Sequence, residues 1–272
     1  MSNATRAHET RVVIDAPIEE VWKAITDASE LSRWFAPKMT VQPGAGGFVV
    51  ADWGPGLAWK TFIEVWEPNR HLRTVETRDR ILSSSPVEER LEPCRLVQDY
   101  YLEAEGGQTV LRLVHSGFGS SAAWDREYEG TRGGWASCFF RLRQALEGHR
   151  NDRVHNLLLP ALCYGVEAAR ALQLIESVAP RSLETVRRGQ LEFCGCLPER
   201  NGSILTVSVQ PTEFGSVAYL ELLLFGLPDA ESSALENEWR TKLAELFPAP
   251  SGNVVRGPAA PPAPLVSPVT PC

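Results

Sequence analysis

The stretch "EGTRGGWASCFFRLRQALEG", residues 129–148, decides the fold. Its apolar residues recur at i, i+4, i+7 and i+11, the spacing of one helix face: Trp135, Phe139, Leu142 and Leu146. Gly133 and Gly134 stand directly before Trp135, although glycine inside a helix costs about 1 kcal/mol relative to alanine. We interpret them as the start of a helix that approaches a sheet closely. In the alternative interpretation, the glycines form a loop and the helix begins at Trp135.

A hairpin is the clearest local signal upstream of this helix, in "CRLVQDYYLEAEGGQTVLRLVHSGF", residues 94–118. Gly106 and Gly107 predict a two-residue turn between two alternating runs. Pairing Glu105 with Gln108 sets three further pairs: Leu102 with Leu111, Tyr100 with Leu113, and Gln98 with His115. The more apolar residues of both strands then share one face of the sheet, and that face needs cover.

The residues before the hairpin predict the rest of one α+β unit. "RVVIDAP" (11–17) is typical of a strand, "IEEVWKAITDASEL" (18–31) of a helix, and "SELSRWFAP" (29–37) of a second short helix ended by its proline. Extended runs follow to residue 78, and residues 79–95 indicate a loop or a poor strand. The order of strand, two helices, antiparallel strands and long helix predicts that the last helix covers the sheet.

The second half repeats this layout in a shorter form. It runs from an apolar segment through a helical pattern and three predicted strands to a final helix, which suggests a degenerate, truncated copy of the first unit. A truncated sheet must pack on the first unit or on another subunit, so a homodimer through this domain is one expectation. The predicted domains are 8–148 and 150–248, followed by a proline-rich, disordered tail at 249–272.

Composition narrows the class of protein. The chain has 272 residues and a formal net charge of −7, without a basic stripe, so we expect neither nucleic acid nor a membrane surface as a partner. It has no long apolar run and no signal-like start, which predicts a cytoplasmic protein. The six cysteines lack zinc-site spacing, so we expect no metal and no cofactor. Cys194 and Cys196 are interpreted as buried thiols, with a soft-metal site as the alternative.

Three segments carry a resemblance to a known family. They are "VVIDAPIEEVWKAITDASELSRWFAP" (12–37), "LVHSGF" (113–118) and "GGWASCFFRLRQALEG" (133–148). Together they resemble the SRPBCC superfamily of START-like domains, and within it the bacterial homologues of the activator of heat-shock protein 90 ATPase. The resemblance implies a helix-grip fold, in which a curved antiparallel sheet wraps a long C-terminal helix. The superfamily contains carriers, receptors, cyclases and cochaperones, so the fold does not fix the function.

The resemblance also implies a ligand cavity between the sheet and the long helix. On this basis, its expected lining is Trp59, Ile63, Leu96, Gln98, Tyr100, Leu111, Leu113, His115, Trp135 and Phe139. Trp34 and Phe35, in the first helices, are expected beside the mouth of the cavity. An apolar lining with few polar groups is typical of small-molecule sites.

The chain shows no hydrolase elbow, zinc-protease, phosphate-loop or dinucleotide motif. His115 is the one histidine on the apolar face of a predicted strand, so His115 and Tyr100 are the candidates for acid/base catalysis. We favour instead a buried histidine satisfied by Gln98 or the backbone. The leading hypothesis is therefore a non-enzymatic carrier or sensor that binds a small hydrophobic or amphipathic molecule. The alternatives are a cochaperone or protein-interaction module, and a cyclase- or hydrolase-like enzyme that uses His115 and Tyr100.

Overall fold

The computed structural model describes residues 5–54, 57–78 and 94–249. Most of the predicted 79–95 loop and nearly all of the predicted tail lie outside these residues. The first unit contains β1 (Thr5–Ile14), α1 (Ile18–Thr26), α2 (Ala28–Leu31), β2 (Lys38–Gln42), β3 (Phe48–Asp52), β4 (Ala58–Glu67), β5 (His71–Arg78), β6 (Cys94–Glu105), β7 (Gln108–Gly119) and α3 (Asp125–Glu147). The second contains β8 (Val154–Tyr164), α4 (Ala168–Ser177), β9 (Glu184–Arg188), β10 (Glu192–Leu197), β11 (Ser203–Thr212), β12 (Gly215–Phe225) and α5 (Asp229–Leu246).

The described strands form two antiparallel sheets with the same topology. The seven-stranded sheet has the order β1-β7-β6-β5-β4-β3-β2, and the five-stranded sheet has the order β8-β12-β11-β10-β9. In each, the first strand pairs with the last, and the remaining strands follow as a meander. The second unit therefore repeats the first with two strands fewer, which confirms the predicted smaller α+β domain of similar layout. Strand β9 was not predicted, because its sequence "ETVRR" is a charged edge strand without an apolar alternation.

The hairpin register is confirmed residue by residue. Strands β6 and β7 pair Glu105 with Gln108, Leu102 with Leu111, Tyr100 with Leu113 and Gln98 with His115. Gly106 and Gly107 have φ values of 60° and 90°, the left-handed conformation that this two-residue turn requires. The register places the Gln98 and Tyr100 side chains on the inner face of the first sheet.

The long helix begins earlier than the sequence predicted. Helix α3 starts at Asp125, so Gly133 and Gly134 lie inside it rather than at its start. A Cβ atom at Gly133 would lie 2.6 Å from Glu192 Oε1 and 2.9 Å from Arg187 Nη2, whereas one at Gly134 would meet no described atom within 4 Å. The helix therefore does approach a sheet closely, as predicted. The approach is made by Gly133 alone, however, and it is toward the second sheet.

Helix α3 lies between the two sheets, which explains why it carries buried polar residues. Its apolar side packs in the first core, while the buried Arg141 forms an ion pair with Glu221 of β12. Arg187 Nη1 of β9 donates to Ser137 Oγ at 3.0 Å. One face of the second sheet is thus covered by α3 of the same chain. Of the two expected alternatives, packing on the first unit or on another subunit, the structure shows the first for this face.

The opposite face of the second sheet packs on its own helices, α4 and α5. Trp239 of α5 is fully buried there, among aliphatic side chains of the sheet: Leu159, Leu205, Val207, Leu220, Leu222 and Leu224. The molecule is therefore layered as first sheet, α3, second sheet, and the α4–α5 pair. Within the described ranges, no helix is long and apolar enough to cross a membrane.

Candidate functional site

A small cavity of about 40 Å³ lies between the inner face of the first sheet and α3. It is bordered by α1, α2 and the turn after it, strands β3 to β6, and α3. Its lining residues are Ile25, Leu31, Trp34, Phe35, Val49, Ala51, Trp59, Thr61, Leu72, Thr74, Gln98, Tyr100 and Trp135. A cavity of this size holds about three water molecules or one compact organic group, since a single water needs roughly 10–15 Å³.

Five of the thirteen lining residues are aromatic, and Phe35 lies at the centre of their ring contacts. Phe35 stacks on Trp135 with ring centroids 5.5 Å apart and an interplanar angle of 8°. It also contacts Trp53 at 5.4 Å and Trp59 at 6.4 Å, and Tyr100 meets Trp135 edge to face at 5.8 Å. Large rings offer apolar contact area at a low cost in conformational entropy, which suits the wall of a ligand site.

The turn that carries Trp34 and Phe35 departs from the sequence-based prediction. Helix α2 ends at Leu31 instead of continuing to Pro37, and Asp27 caps its start by accepting hydrogen bonds from Ser29 N and Glu30 N at 2.9 and 3.1 Å. Trp34 and Phe35 follow in the turn and are only 2% and 9% exposed. They form the wall of the cavity, where the sequence had suggested a position beside its mouth.

Arg33 anchors this turn to the segment that joins the two units. Its guanidinium donates to the carbonyl oxygens of His149, Arg150 and Asp152 at 2.7, 2.9 and 3.1 Å. Asn156 Nδ2, at the start of β8, donates to Ser32 O at 3.2 Å. The aromatic wall is therefore held in place partly by the beginning of the second unit.

Gln98 is the one amide among the polar residues that line the cavity, which also include Thr61, Thr74 and Tyr100. Its side chain is 3% exposed, and its Oε1 accepts hydrogen bonds from Thr74 Oγ1 at 3.0 Å and Tyr100 Oη at 3.3 Å. The pairing of Thr74 with Gln98 across β5 and β6 creates this arrangement. Gln98 Nε2 is buried and has no hydrogen-bond partner among the described residues. Buried amide groups are normally paired, so an unpaired one calls for a water or a ligand atom.

The tryptophan N–H groups around the cavity are already used by the protein. Trp34 Nε1 donates to Ala24 O at 2.9 Å, Trp59 Nε1 donates to Glu76 Oε2, and Trp135 Nε1 donates to His115 Nδ1 at 3.2 Å. These three indoles therefore present their apolar faces to the cavity and leave Gln98 Nε2 as its buried donor without a partner among the residues that the structure describes.

His115 and Tyr100, the candidates for acid/base chemistry, lie in surroundings that oppose that role. His115 is fully buried and does not line the cavity. Tyr100 does line it, but burial raises the pKa of its hydroxyl well above the ordinary value, since a phenolate would lose its hydration. Tyr100 is therefore a neutral hydrogen-bond donor, held toward Gln98.

Four of the sequence-predicted site residues line the cavity: Trp59, Gln98, Tyr100 and Trp135. Five others are buried in the surrounding core without lining it: Ile63, Leu111, Leu113, His115 and Phe139. Leu96, also expected in the lining, packs with Phe118 and Trp124 in a separate cluster. These side chains are at most 2% exposed, because neighbouring core side chains cover them completely.

Seven lining residues were not predicted from the sequence: Ile25 and Leu31 on the first two helices, Val49 and Ala51 on β3, Thr61 on β4, and Leu72 and Thr74 on β5. Thr74 carried no clear signal, since the residues of its strand, "HLRTVETR" (71–78), do not alternate between apolar and polar. Its register against Gln98 depended on a connection that the sequence left open, so the contact could not be derived.

The described part of the chain contains no arrangement of side chains that suits metal binding or thiol chemistry. There, no group of three or more histidine, cysteine, aspartate or glutamate side chains is placed to hold a metal ion. Of the cysteines in that part, Cys138, Cys163, Cys194 and Cys196 are free thiols. Burial raises the pKa of Cys194 to about 11, so this thiol is protonated and unreactive at neutral pH.

The sheet, the long helix and the cavity between them define a helix-grip domain. Residues 15–147 match the family model described as Activator of Hsp90 ATPase homolog 1-like protein, so this part of the chain is similar to that family. The family match begins just after β1 and ends at the last residue of α3, so it covers the first unit apart from β1 and none of the second.

Several solved structures are similar to the chain. MLL2253 from Mesorhizobium loti aligns over 52% of this chain and 96% of its own, with 27% identity and a TM-score of 0.43. The Aha1 dimer from Colwellia psychrerythraea aligns over the same fractions, with 19% identity and a TM-score of 0.42. DynU16, a protein of the dynemicin biosynthetic locus, aligns over 88% of this chain and 96% of its own, with 18% identity and a TM-score of 0.41. A comparison with curated proteins gives no match.

Proposed function

We propose that this protein binds a small hydrophobic or amphipathic molecule in the cavity between the first sheet and α3, as a carrier or sensor. The observation that carries the proposal is an aromatic-walled cavity with a buried amide nitrogen that lacks a partner among the described residues. Apolar walls with one or two oriented polar groups are the usual composition of small-molecule sites.

The size of the cavity limits what fits without movement. Sites for drug-sized ligands measure roughly 300–1,000 Å³, whereas this cavity measures about 40 Å³. A compact ligand enters the cavity as it stands. A larger one requires the Phe35 ring to leave its stack on Trp135, and the turn at residues 32–36 is the segment that would move.

The experiment that tests this function is native mass spectrometry of the purified full chain, compared with a denatured sample. A small mass present only in the native spectrum, and lost on denaturation, supports carriage and gives the ligand class. A clean apo mass, together with no binding of compact apolar probes by NMR, contradicts the proposal. The same native spectrum gives the subunit count and so tests the expected homodimer.

The enzymatic alternative has less support. A general acid or base must reach the reacting atom and change its protonation state near neutral pH. Tyr100 has a strongly raised pKa, and the fully buried His115 does not border the cavity. Loss of an activity on His115→Ala or Tyr100→Phe, with binding unchanged, would reverse this preference.

The cochaperone alternative rests on the name of the matched family, Activator of Hsp90 ATPase homolog 1-like protein. It predicts a change in the ATPase rate of a heat-shock protein 90 chaperone when the full chain is added. An unchanged rate, together with no complex on size-exclusion chromatography, would exclude it and leave small-molecule binding as the function.

A further inference from the structure

We infer that the ligand of this cavity is uncharged and presents an oxygen acceptor, such as a ketone, ester or amide carbonyl, to Gln98 Nε2. This inference rests on the proposed function and names the chemical class that the site accepts. It comes from three features of the cavity: the orientation of the Gln98 amide, the absence of ionised groups in the described lining, and the apolar surfaces around it.

The orientation of the amide follows from its neighbours. With Oε1 toward Thr74 and Tyr100, both hydroxyl groups donate to it, at 3.0 and 3.3 Å, and only the NH₂ hydrogens remain unused. Rotating the amide by 180° would leave both hydroxyl hydrogens and the carbonyl oxygen without those bonds. The orientation that satisfies more groups therefore turns the NH₂ away from the two hydroxyls. A ligand that meets this NH₂ must supply an acceptor, because an amide nitrogen accepts no hydrogen bond.

The charge of the ligand follows from the lining. Among the described residues that line the cavity, Tyr100 is the one ionisable side chain, and its raised pKa keeps it neutral. An ion buried here would lose its hydration and find no opposite charge in that lining, which costs several kcal/mol. A carboxylate or ammonium ligand is therefore excluded from this site at neutral pH, whereas a carbonyl group is accepted.

An unpartnered polar atom alone would not carry this inference. Trp239 Nε1 in the second core is also buried without a hydrogen-bond partner among the described residues. Trp239, however, is packed among aliphatic side chains and does not line the cavity. Gln98 differs because its unused donor belongs to a side chain that borders a cavity with aromatic walls.

A pair of isosteric probes tests the inference directly. Acetone and isobutene have nearly the same shape and are small enough for this cavity, but only the ketone has an acceptor oxygen. We expect the full chain to bind the ketone about three- to tenfold more tightly, the range that one net hydrogen bond supplies. In ¹⁵N–¹H spectra, the Gln98 side-chain NH₂ signals should move with the ketone and stay in place with the hydrocarbon.

Two variants test whether the Gln98 amide causes the preference for the ketone. Gln98→Met keeps an unbranched side chain of similar length without a donor, so the preference for the ketone should fall to about onefold. Gln42→Met makes the same replacement at an exposed position on β2 and should leave the preference unchanged. If Gln98→Met fails to fold, the two probes and the NH₂ signals of the wild-type chain still decide the question.

The outcomes separate the inference from the function on which it rests. Equal affinity for both probes, with unmoved Gln98 signals, overturns the inference while binding itself stands. Tighter binding of acetate than of acetone also overturns it, because the site would then prefer a charge. Binding of none of these probes up to their solubility limits contradicts the proposed function itself.

Discussion

The two sheets share one topology but pack in different ways. The first sheet meets α3 through aliphatic side chains such as Leu111 and Leu142, and through a cluster of aromatic rings and a glutamine that leaves a cavity of about 40 Å³. The second sheet meets α4 and α5 mainly through leucine and valine side chains. Branched aliphatic side chains interdigitate readily, whereas several rigid rings leave gaps that only a further group can fill. The same fold thus gives a candidate site in one unit and an aliphatic core in the other, through the choice of side chains.

The largest predicted effects come from truncating one phenylalanine in each unit. Phe35→Ala and Phe193→Ala each remove a ring that is at most 9% exposed, so each should lower the free energy of unfolding by about 3–5 kcal/mol in urea titrations. Only Phe35→Ala enlarges the cavity, so only this variant should bind a ring-sized neutral probe more tightly than wild type. A similar gain in Phe193→Ala would remove the distinction between the two units.

The ion pair between α3 and the second sheet tests whether the two units form one packed structure. Glu221→Ala leaves the buried Arg141 without its carboxylate partner, so we expect a loss of about 2–3 kcal/mol in the free energy of unfolding. The double variant Arg141→Met/Glu221→Met replaces both charges with apolar groups and should regain most of this loss. If the double variant is no more stable than Glu221→Ala, the buried charge is not the cause.

His8 on β1 should make the free energy of unfolding depend on pH. Burial lowers the pKa of His8 from 6.5 to about 4, so the folded state resists protonation of this ring. His8 therefore favours folding above pH 6.5, and this contribution is lost as the pH falls from 6.5 to 4, by about 2–3 kcal/mol in total. His8→Phe should flatten the decrease measured by urea unfolding between these pH values. An identical pH profile in the variant would assign the decrease to other groups.

The smallest predicted effect comes from the two adjacent glycines of α3. Gly134→Ala should stabilise the protein by about 0.5–1 kcal/mol, because alanine favours the helix and its Cβ meets no described atom within 4 Å. Gly133→Ala gains the same helix propensity but must displace the ends of Arg187 and Glu192, so its net effect should be close to zero. Equal stabilisation by both variants in thermal unfolding would show that the second sheet does not approach α3 at Gly133.

Local patterns predicted the fold well where one signal fixed a register. The Gly106–Gly107 turn set the pairs of β6 and β7, and through them the positions of Gln98 and Tyr100 on the inner face. The α3 stripe from Trp135 to Leu146 gave the helix that covers the sheet, although the glycines suggested too late a start. The cost of placing glycine inside a helix is outweighed there by packing between distant segments. Such packing cannot be recognised from a short-range sequence pattern.

The candidate site was less predictable, because it depends on contacts between distant segments. Strand alternation placed Trp59 and helical spacing placed Trp135 on inward faces. Neither pattern separates residues that line a cavity from those buried behind them, such as Leu113 and Phe139. The role of Phe35 depends on a turn anchored by Arg33 to residues more than a hundred positions away. Likewise, Arg141 lies outside the apolar stripe of α3, so no local pattern indicated that it is buried. Its burial is explained by the ion pair with Glu221 in the second unit.

The central claim is that the cavity between the first sheet and α3 binds a ligand. Its most direct test is a ¹⁵N–¹H spectrum of the tryptophan indoles recorded during a titration with acetone, a ketone small enough for the cavity. We predict saturable shifts of the Trp34, Trp59 and Trp135 indole signals, which border the cavity, and an unmoved Trp239 signal from the second core. Shifts of Trp239 equal to those of the cavity tryptophans, or no saturable shift at all, would contradict the account.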